Sequence, residues 1–373
     1  MEEIEDNAAQ ENTPLDNSTP EGTASENTSP NPAAAESANE ESSAEPVPVQ
    51  ETVSPVSKEL QKFNDKINQV RQECSKVIVG QKKAIDMILI GLFTNGHVLL
   101  EGVPGIAKTM IAKILSRTLS ADFSRIQFTP DLMPTDVIGT NVFNLKSSEF
   151  TFKQGPIFSN IVLIDEINRA PAKTQAALFE VMEEQQVTVD GITNKMGAPF
   201  MVLATQNPIE QEGTYKLPEA QLDRFLFKIK MEYPSQDHEE EILRRFQLDF
   251  GAAVADDVKA VLKPKDIEDF KNVVEKIHIK DELVRYIAAI VINTRNNGDL
   301  FLGASPRASL ALMKAAKAQA ALSARDFVIP EDIQVVLTPI LNHRMILSAE
   351  REMEGVEIED VIQEIIKTVE VPR

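Results

Sequence analysis

Apolar residues recur every three to four positions at Leu60, Phe63, Ile67, Val70 and Cys74, which predicts a helix over 58–76 with these five side chains on one buried face. A second stretch of helical period covers 81–94. The pattern then changes to short, unbroken apolar runs. His97-Val98-Leu99-Leu100, Arg125 to Thr129, Ile161-Val162-Leu163-Ile164, Phe200 to Thr205 and Phe225 to Ile229 read as strands, with helices expected over 107–119 and 171–185. Continuous apolar runs suit parallel strands covered on both faces. Their alternation with helices predicts an α/β fold built on a doubly wound parallel sheet.

Two interruptions break the simple winding. Asn141-Val142-Phe143 and Phe150-Thr151-Phe152 flank a polar turn, and Val187-Thr188-Val189 runs into Asp190-Gly191, a tight-turn signal, so two inserted β-hairpins are expected. Pattern alone leaves open whether they are surface decoration. After about residue 235 no strand is predicted, and helical spacing appears near 236–250, 264–276, 280–297, 305–324 and 330–345. Asp266, Asp281, Ser305 and Pro330-Glu331-Asp332 supply start signals. The folded part therefore divides into an α/β domain over 58–235 and a smaller all-α domain with a tail over 236–373.

Charge separates a third region. The formal net charge is −20, but residues 1–57 hold thirteen Asp and Glu and no Lys or Arg, leaving −7 for the rest. That segment also has seven prolines and no aromatic residue, so it cannot bury enough apolar surface to offset the entropy of ordering; an acidic, disordered leader is expected. No apolar run is long enough to cross a bilayer, and no secretory signal opens the sequence. The single cysteine, Cys74, falls on the predicted buried face, and together these features point to the cytoplasm. His97, His238, His278 and His343 show no metal-ligand spacing.

The candidate chemistry gathers at predicted strand ends. Gly102-Val103-Pro104-Gly105-Ile106-Ala107-Lys108-Thr109 leads from a strand into a helix, where backbone N–H groups and the helix dipole favour an anion. In the general phosphate-loop pattern Lys108 reaches the terminal phosphates and Thr109 holds Mg²⁺, but a glycine is expected where Ala107 stands. Asp165 and Glu166 directly follow the third strand, giving one acid for a metal and one to orient water. Asn207 brings an amide to the same sheet edge. Arg224 precedes the fifth strand, either as a cation for a phosphate on a neighbouring subunit or in a salt bridge with Asp223 or Glu219. Arg307, near the start of a C-terminal helix, sits where a lid could bring it over a nucleotide.

This ordered set, with Gly80-Gln81 ahead of it, resembles an AAA+ ATPase. More narrowly, the loop 102–109, Arg125-Ile126-Gln127-Phe128-Thr129-Pro130-Asp131-Leu132-Met133-Pro134, Asp165-Glu166-Ile167-Asn168-Arg169-Ala170 and Ala204-Thr205-Gln206-Asn207-Pro208 resemble the MoxR family over about residues 60–350. In that family an alanine precedes the lysine. The resemblance implies that residues 102–109 with Gly80 and Gln81 bind ATP, that Thr109 and Asp165 hold Mg²⁺, and that Asp165 and Glu166 form the Walker B pair. It also implies that Asn207 is sensor 1, Arg307 is sensor 2, and Arg224, or in its place Arg169, is the arginine finger. The hairpins become pore-facing contact elements, and the helical domain a lid.

The resemblance further implies ATP hydrolysis by a homo-oligomeric ring, a hexamer, coupled to chaperone-like remodelling of client protein complexes. The alternative is a nucleotide-gated scaffold for a partner with a von Willebrand factor A domain. DNA translocation ranks third, because the folded part is acidic and only Lys146 and Lys195 lie near the hairpin turns.

Overall fold

A computed structural model of the chain describes residues 55–146, 148–208, 215, 217–248 and 257–372. The expected disordered leader thus lies outside the described residues, apart from its last three, which belong to the first helix, α1 (Pro55–Ser75). Leu60, Phe63, Ile67, Val70 and Cys74 all point inward from α1. Phe63 meets Phe93 of α2 (Lys82–Phe93) edge to face at 5.1 Å and Phe270 at 4.9 Å, and such aromatic contacts add to the burial itself.

The apolar runs form a five-stranded sheet. Its strands are β1 (His97–Glu101), β2 (Phe123–Gln127), β5 (Ile161–Asp165), β8 (Met201–Gln206) and β9 (Phe225–Lys230), in the order β2-β5-β8-β1-β9, all parallel. Every residue of β1 and β5 is buried, because both faces are covered. Val98 and Leu100 face a core shared with α1, α2 and α3 (Lys108–Thr118), while Leu99 faces the core under α5 (Ala172–Glu184). All five strands run the same way, so their C-terminal ends form one edge of the sheet and their N-terminal ends the other. The fold's functional groups divide between those two edges.

Both expected hairpins are present. One pairs β3 (Gly139–Asn144) with β4 (Glu149–Gln154) after a short helix, α4 (Pro134–Ile138), that the pattern did not predict. The other pairs β6 (Gln186–Val189) with β7 (Ile192–Lys195). A one-turn helix, α6 (Glu219–Leu222), precedes β9.

Beyond β9 lie α7 (Gln236–Leu248), α8 (Pro264–Glu275), α9 (Asp281–Arg295), α10 (Pro306–Leu322) and α11 (Pro330–Leu341). The expectation of no strands here is corrected: β10 (Leu300–Leu302) pairs antiparallel with β11 (Ile346–Leu347). Two or three residues are too short a run to show a period. The chain also continues as helix where none was predicted, in α12 (Ala349–Met353) and α13 (Ile358–Thr368). The alanines of α10 are buried against its neighbours, and small side chains there let helices approach closely.

Candidate active site

At the C-terminal edge of the sheet, β1 ends at Glu101 and α3 begins at Lys108, so six residues cross from strand to helix. The turn needs left-handed backbone twice. Gly105 adopts φ +91° with open space where a Cβ would sit, and Ala107 adopts φ +67°. A non-glycine residue in that region costs about 1–2 kcal/mol, which is why the general pattern carries glycine where Ala107 stands. The loop borders a cavity of about 680 Å³ lined by Gly105, Lys108, Thr109, Asp165, Glu166 and Asn207, among others. Thus the loop, the two acids and the amide converge on one space.

The Lys108 ammonium donates to the carbonyls of Gly102 and, at 3.4 Å, Gln206. Partial burial lowers its pKa, opposed by the nearby carboxylates of Asp165, Glu166 and Glu101. The Thr109 hydroxyl stands 3.4 and 3.5 Å from the two Asp165 oxygens. That is a loose contact between hard oxygen ligands, and the donor set suits a magnesium ion, which binds through a few protein oxygens and otherwise keeps water and phosphate ligands. An open phosphate cradle, a lysine and this oxygen pair fit a Mg²⁺-nucleotide.

Glu166 sits at φ +57°, a left-handed conformation held by its own N–H, which donates to Thr205 Oγ1 at 3.0 Å. The same hydroxyl donates to Asp165 at 3.2 Å, so one threonine fixes both acids. The Glu166 carboxylate accepts from Gln127 at 3.1 Å and pairs with Arg169 at 2.7 Å, while Asp165 pairs with Arg125 at 2.6 Å. Thr205, Arg125 and Gln127 were not singled out from sequence as site residues. The available signal was their place at strand ends: β2 lies beside β5 with Gln127 opposite Asp165.

Gly80 and Gln81 lie elsewhere, at a second cavity of about 480 Å³ bordered by α1 and the start of α2. Gln81 donates to the carbonyl of Glu232 at 3.3 Å, and the adjoining Met231 N–H donates to Glu101 O at 2.8 Å, so this segment reaches the start of the phosphate loop.

Arg224 and Arg307 are not at the cavity of their own chain. Arg224 precedes β9 at the N-terminal edge and donates to Phe179 O, so neither Asp223 nor Glu219 is its partner among the described hydrogen bonds. Arg307, expected over the nucleotide, instead pairs with Glu183 at 2.6 Å and faces Asp223 at 3.7 Å. Both border a cleft with Gly96, just before β1. The reason is packing: α10, which carries Arg307, lies against α11, and α11 lies against β9. Arg169 is engaged with Glu166 in its own chain. Among the described residues no group of His, Cys, Asp and Glu is arranged to hold a metal by itself, and no helix is long and apolar enough to cross a membrane.

The sheet order, the strand-to-helix phosphate loop after β1 and the paired acids at the end of β5, with β8 between the two strands, define an AAA ATPase, and sequence comparison agrees. Residues 97–227 match the ATPase family associated with various cellular activities, and residues 292–365 match the AAA lid domain. The chain is 48% identical to the uncharacterized protein YeaC of Bacillus subtilis, over 81% of this chain and 93% of that one. It is 43% identical to Chaperone MoxR1 of Mycobacterium tuberculosis, over 81% of each. A crystal structure of a Cytophaga hutchinsonii protein named as a candidate ATPase is 44% identical and superposes with a TM-score of 0.78, over 85% of this chain and 98% of that one. The protein belongs to the MoxR family of AAA+ ATPases and hydrolyses ATP.

Proposed function

We propose that the chain works as a ring, a hexamer by family resemblance, in which Mg²⁺-ATP bound at the 102–109 loop of one subunit is hydrolysed with arginines from the next. One observation carries this reading. The acids end a strand at one edge of the sheet, while Arg224 precedes β9 at the other and Arg307 of α10 shares its cleft. Strands of five or six residues separate the edges by about 16–20 Å. A single chain cannot bring both sets to one phosphate, whereas a head-to-tail contact can, and such contacts close into rings.

Within that assembly Lys108 neutralises phosphate charge, Thr109 and Asp165 hold the metal, and Glu166 and Asn207 orient the attacking water. When bound, the metal would supply charge neutralisation at the phosphates. Arg224 and Arg307 stabilise the charge that develops on the transferred group. In the structure Glu166 is engaged by Arg169 and Gln127, so release of those contacts gates its use as a base. The segment after residue 235 acts as the lid.

The work done is chaperone-like remodelling of client protein complexes, a reading supported by the Mycobacterium relative's being named a chaperone, with a von Willebrand factor A domain protein as an alternative partner. The hairpins support contact with protein. Val142, Phe143, Leu145, Phe150 and Ile192 are exposed on them, and Asn141 of one hairpin donates to Asp190 of the other. On dilution of the purified protein, specific ATPase activity is expected to fall as the mass by light scattering drops to that of a monomer. A monomer with undiminished activity would contradict the ring.

A further inference from the structure

The three residues that follow α11 are spent on one short stretch of backbone. Arg344, whose side chain is 3% exposed, donates through Nε to the Asp223 carboxylate at 2.6 Å. Its Nη2 donates to the carbonyls of Asp223 at 3.3 Å and Phe225 at 2.7 Å, and its Nη1 to those of Leu226 at 3.2 Å and Ile340. His343 Nε2 lies 3.0 Å from the Phe225 carbonyl, and Asn342 donates to Lys228 O at 3.1 Å. The carbonyls of the two residues that flank Arg224 therefore end on one buried guanidinium.

The other Asp223 oxygen faces Arg307 at 3.7 Å, so a single carboxylate ties Arg344 to Arg307, while the carbonyl contacts of Arg344 hold the residues that flank Arg224. Burying a guanidinium costs more than burying an apolar side chain of similar volume, and simple adhesion of α11 to β9 does not need one. Its rigid fork of donors does something an apolar group cannot, which is to fix several acceptors in register.

We propose that Arg344 is a positioning residue for the arginine pair, setting the direction in which Arg224 and Arg307 project toward the phosphate site of the neighbouring subunit. The inference rests on the reading that these arginines act across a subunit boundary. It makes the helical lid, through the residues after α11, part of the apparatus that completes the next subunit's site.

The test is complementation in mixed rings. Alone, Arg344→Met is expected to lose at least about tenfold in kcat, with affinity for a fluorescent ATP analogue unchanged within about twofold, since its own phosphate loop is untouched. Glu166→Gln alone is inactive but keeps its arginine edge. Mixed one to one, random assembly pairs an intact Glu166 with an intact arginine edge at about a quarter of the sites, and turnover is expected to recover toward that fraction. Arg224→Ala mixed with Glu166→Gln runs alongside.

Recovery with Arg224→Ala but not with Arg344→Met would overturn the positioning role while leaving the ring reading intact. Recovery with neither would overturn both. Asp223→Asn, which keeps the carbonyl contacts of Arg344 and nearly the same volume, guards against a folding failure. It is expected to give a smaller kcat loss, also rescued by mixing, and a loss that mixing does not rescue would count against the proposal.

Discussion

The two edges of the parallel sheet are built differently, although both gather arginines and carboxylates. At the C-terminal edge the arginines of the charged pairs are the exposed partners around an open cavity: Arg125 on the buried Asp165 and Arg169 on Glu166 have side chains 52% and 39% exposed. At the N-terminal edge Arg344 is enclosed and engages four carbonyls as well as Asp223. Exposed pairs contribute little and are readily exchanged, whereas a buried charge stripped of its partner is costly. One edge is arranged to be rearranged by a ligand. The other is arranged to hold its geometry.

The largest effect expected from breaking this contrast comes at the rigid edge. Arg224→Ala should lower kcat by about 10³-fold or more, the range for arginines that stabilise phosphoryl transfer. Nucleotide affinity in its own subunit should be unchanged; a matching loss of affinity in equilibrium binding would mean that the two edges are not separate sites. Next comes Glu166→Gln, which should lower kcat by about 10²–10⁴-fold while ATP binding persists. Single-turnover kinetics checks this directly, and retained chemistry would remove Glu166 as the base.

A smaller effect involves protons. His97, at the rigid edge, is enclosed with Nδ1 accepting from Val202 N–H and Nε2 donating to Met182 O, and burial pushes its pKa down to about 4. The unfolded chain therefore binds this proton first. The stability that His97 contributes is fully present above about pH 6.5 and is lost as pH falls toward 4, amounting to about 2 kcal/mol between pH 7 and pH 5. Burial shifts His343 in the same direction. Urea unfolding of wild type and His97→Gln at the two pH values checks it: the variant should show the smaller pH dependence.

The smallest effect lies in the phosphate loop. Ala107→Gly relieves a left-handed alanine and should raise stability by about 0.5–1 kcal/mol in thermal unfolding. A loss of stability would mean that the alanine methyl has a packing role.

How much of this was legible beforehand differs between the edges in the same way. The C-terminal edge is local in sequence: a glycine loop or an acid directly after an apolar run announces its place, and Pro104, Gly105, Ala107, Lys108 and Thr109 of the loop border one cavity with Asp165, Glu166 and Asn207. The three helpers Thr205, Arg125 and Gln127 depend on which strands are neighbours, and strand order is not written in any local pattern. The N-terminal edge is built from long-range packing. Arg307 reaches Glu183 and Asp223, and Arg344 reaches Asp223, only because α10, α11 and β9 pack together. Arg307 was therefore expected over the wrong edge, and nothing in its surroundings marked Arg344. The apolar face of Val361, Ile362 and Ile365 on α13 was visible in the sequence, but it lies past the last segment in which a helix was predicted.

The claim that the rigid edge of one subunit completes the rearrangeable edge of the next is tested most directly by titrating Glu166→Gln into Arg224→Ala and following ATP turnover. Each variant alone should be inactive, and activity should rise to a maximum near equal proportions and fall again, as only mixed boundaries hold both groups. Turnover that stays at the level of the separate variants across the whole titration, in samples shown by light scattering to have co-assembled, would contradict it.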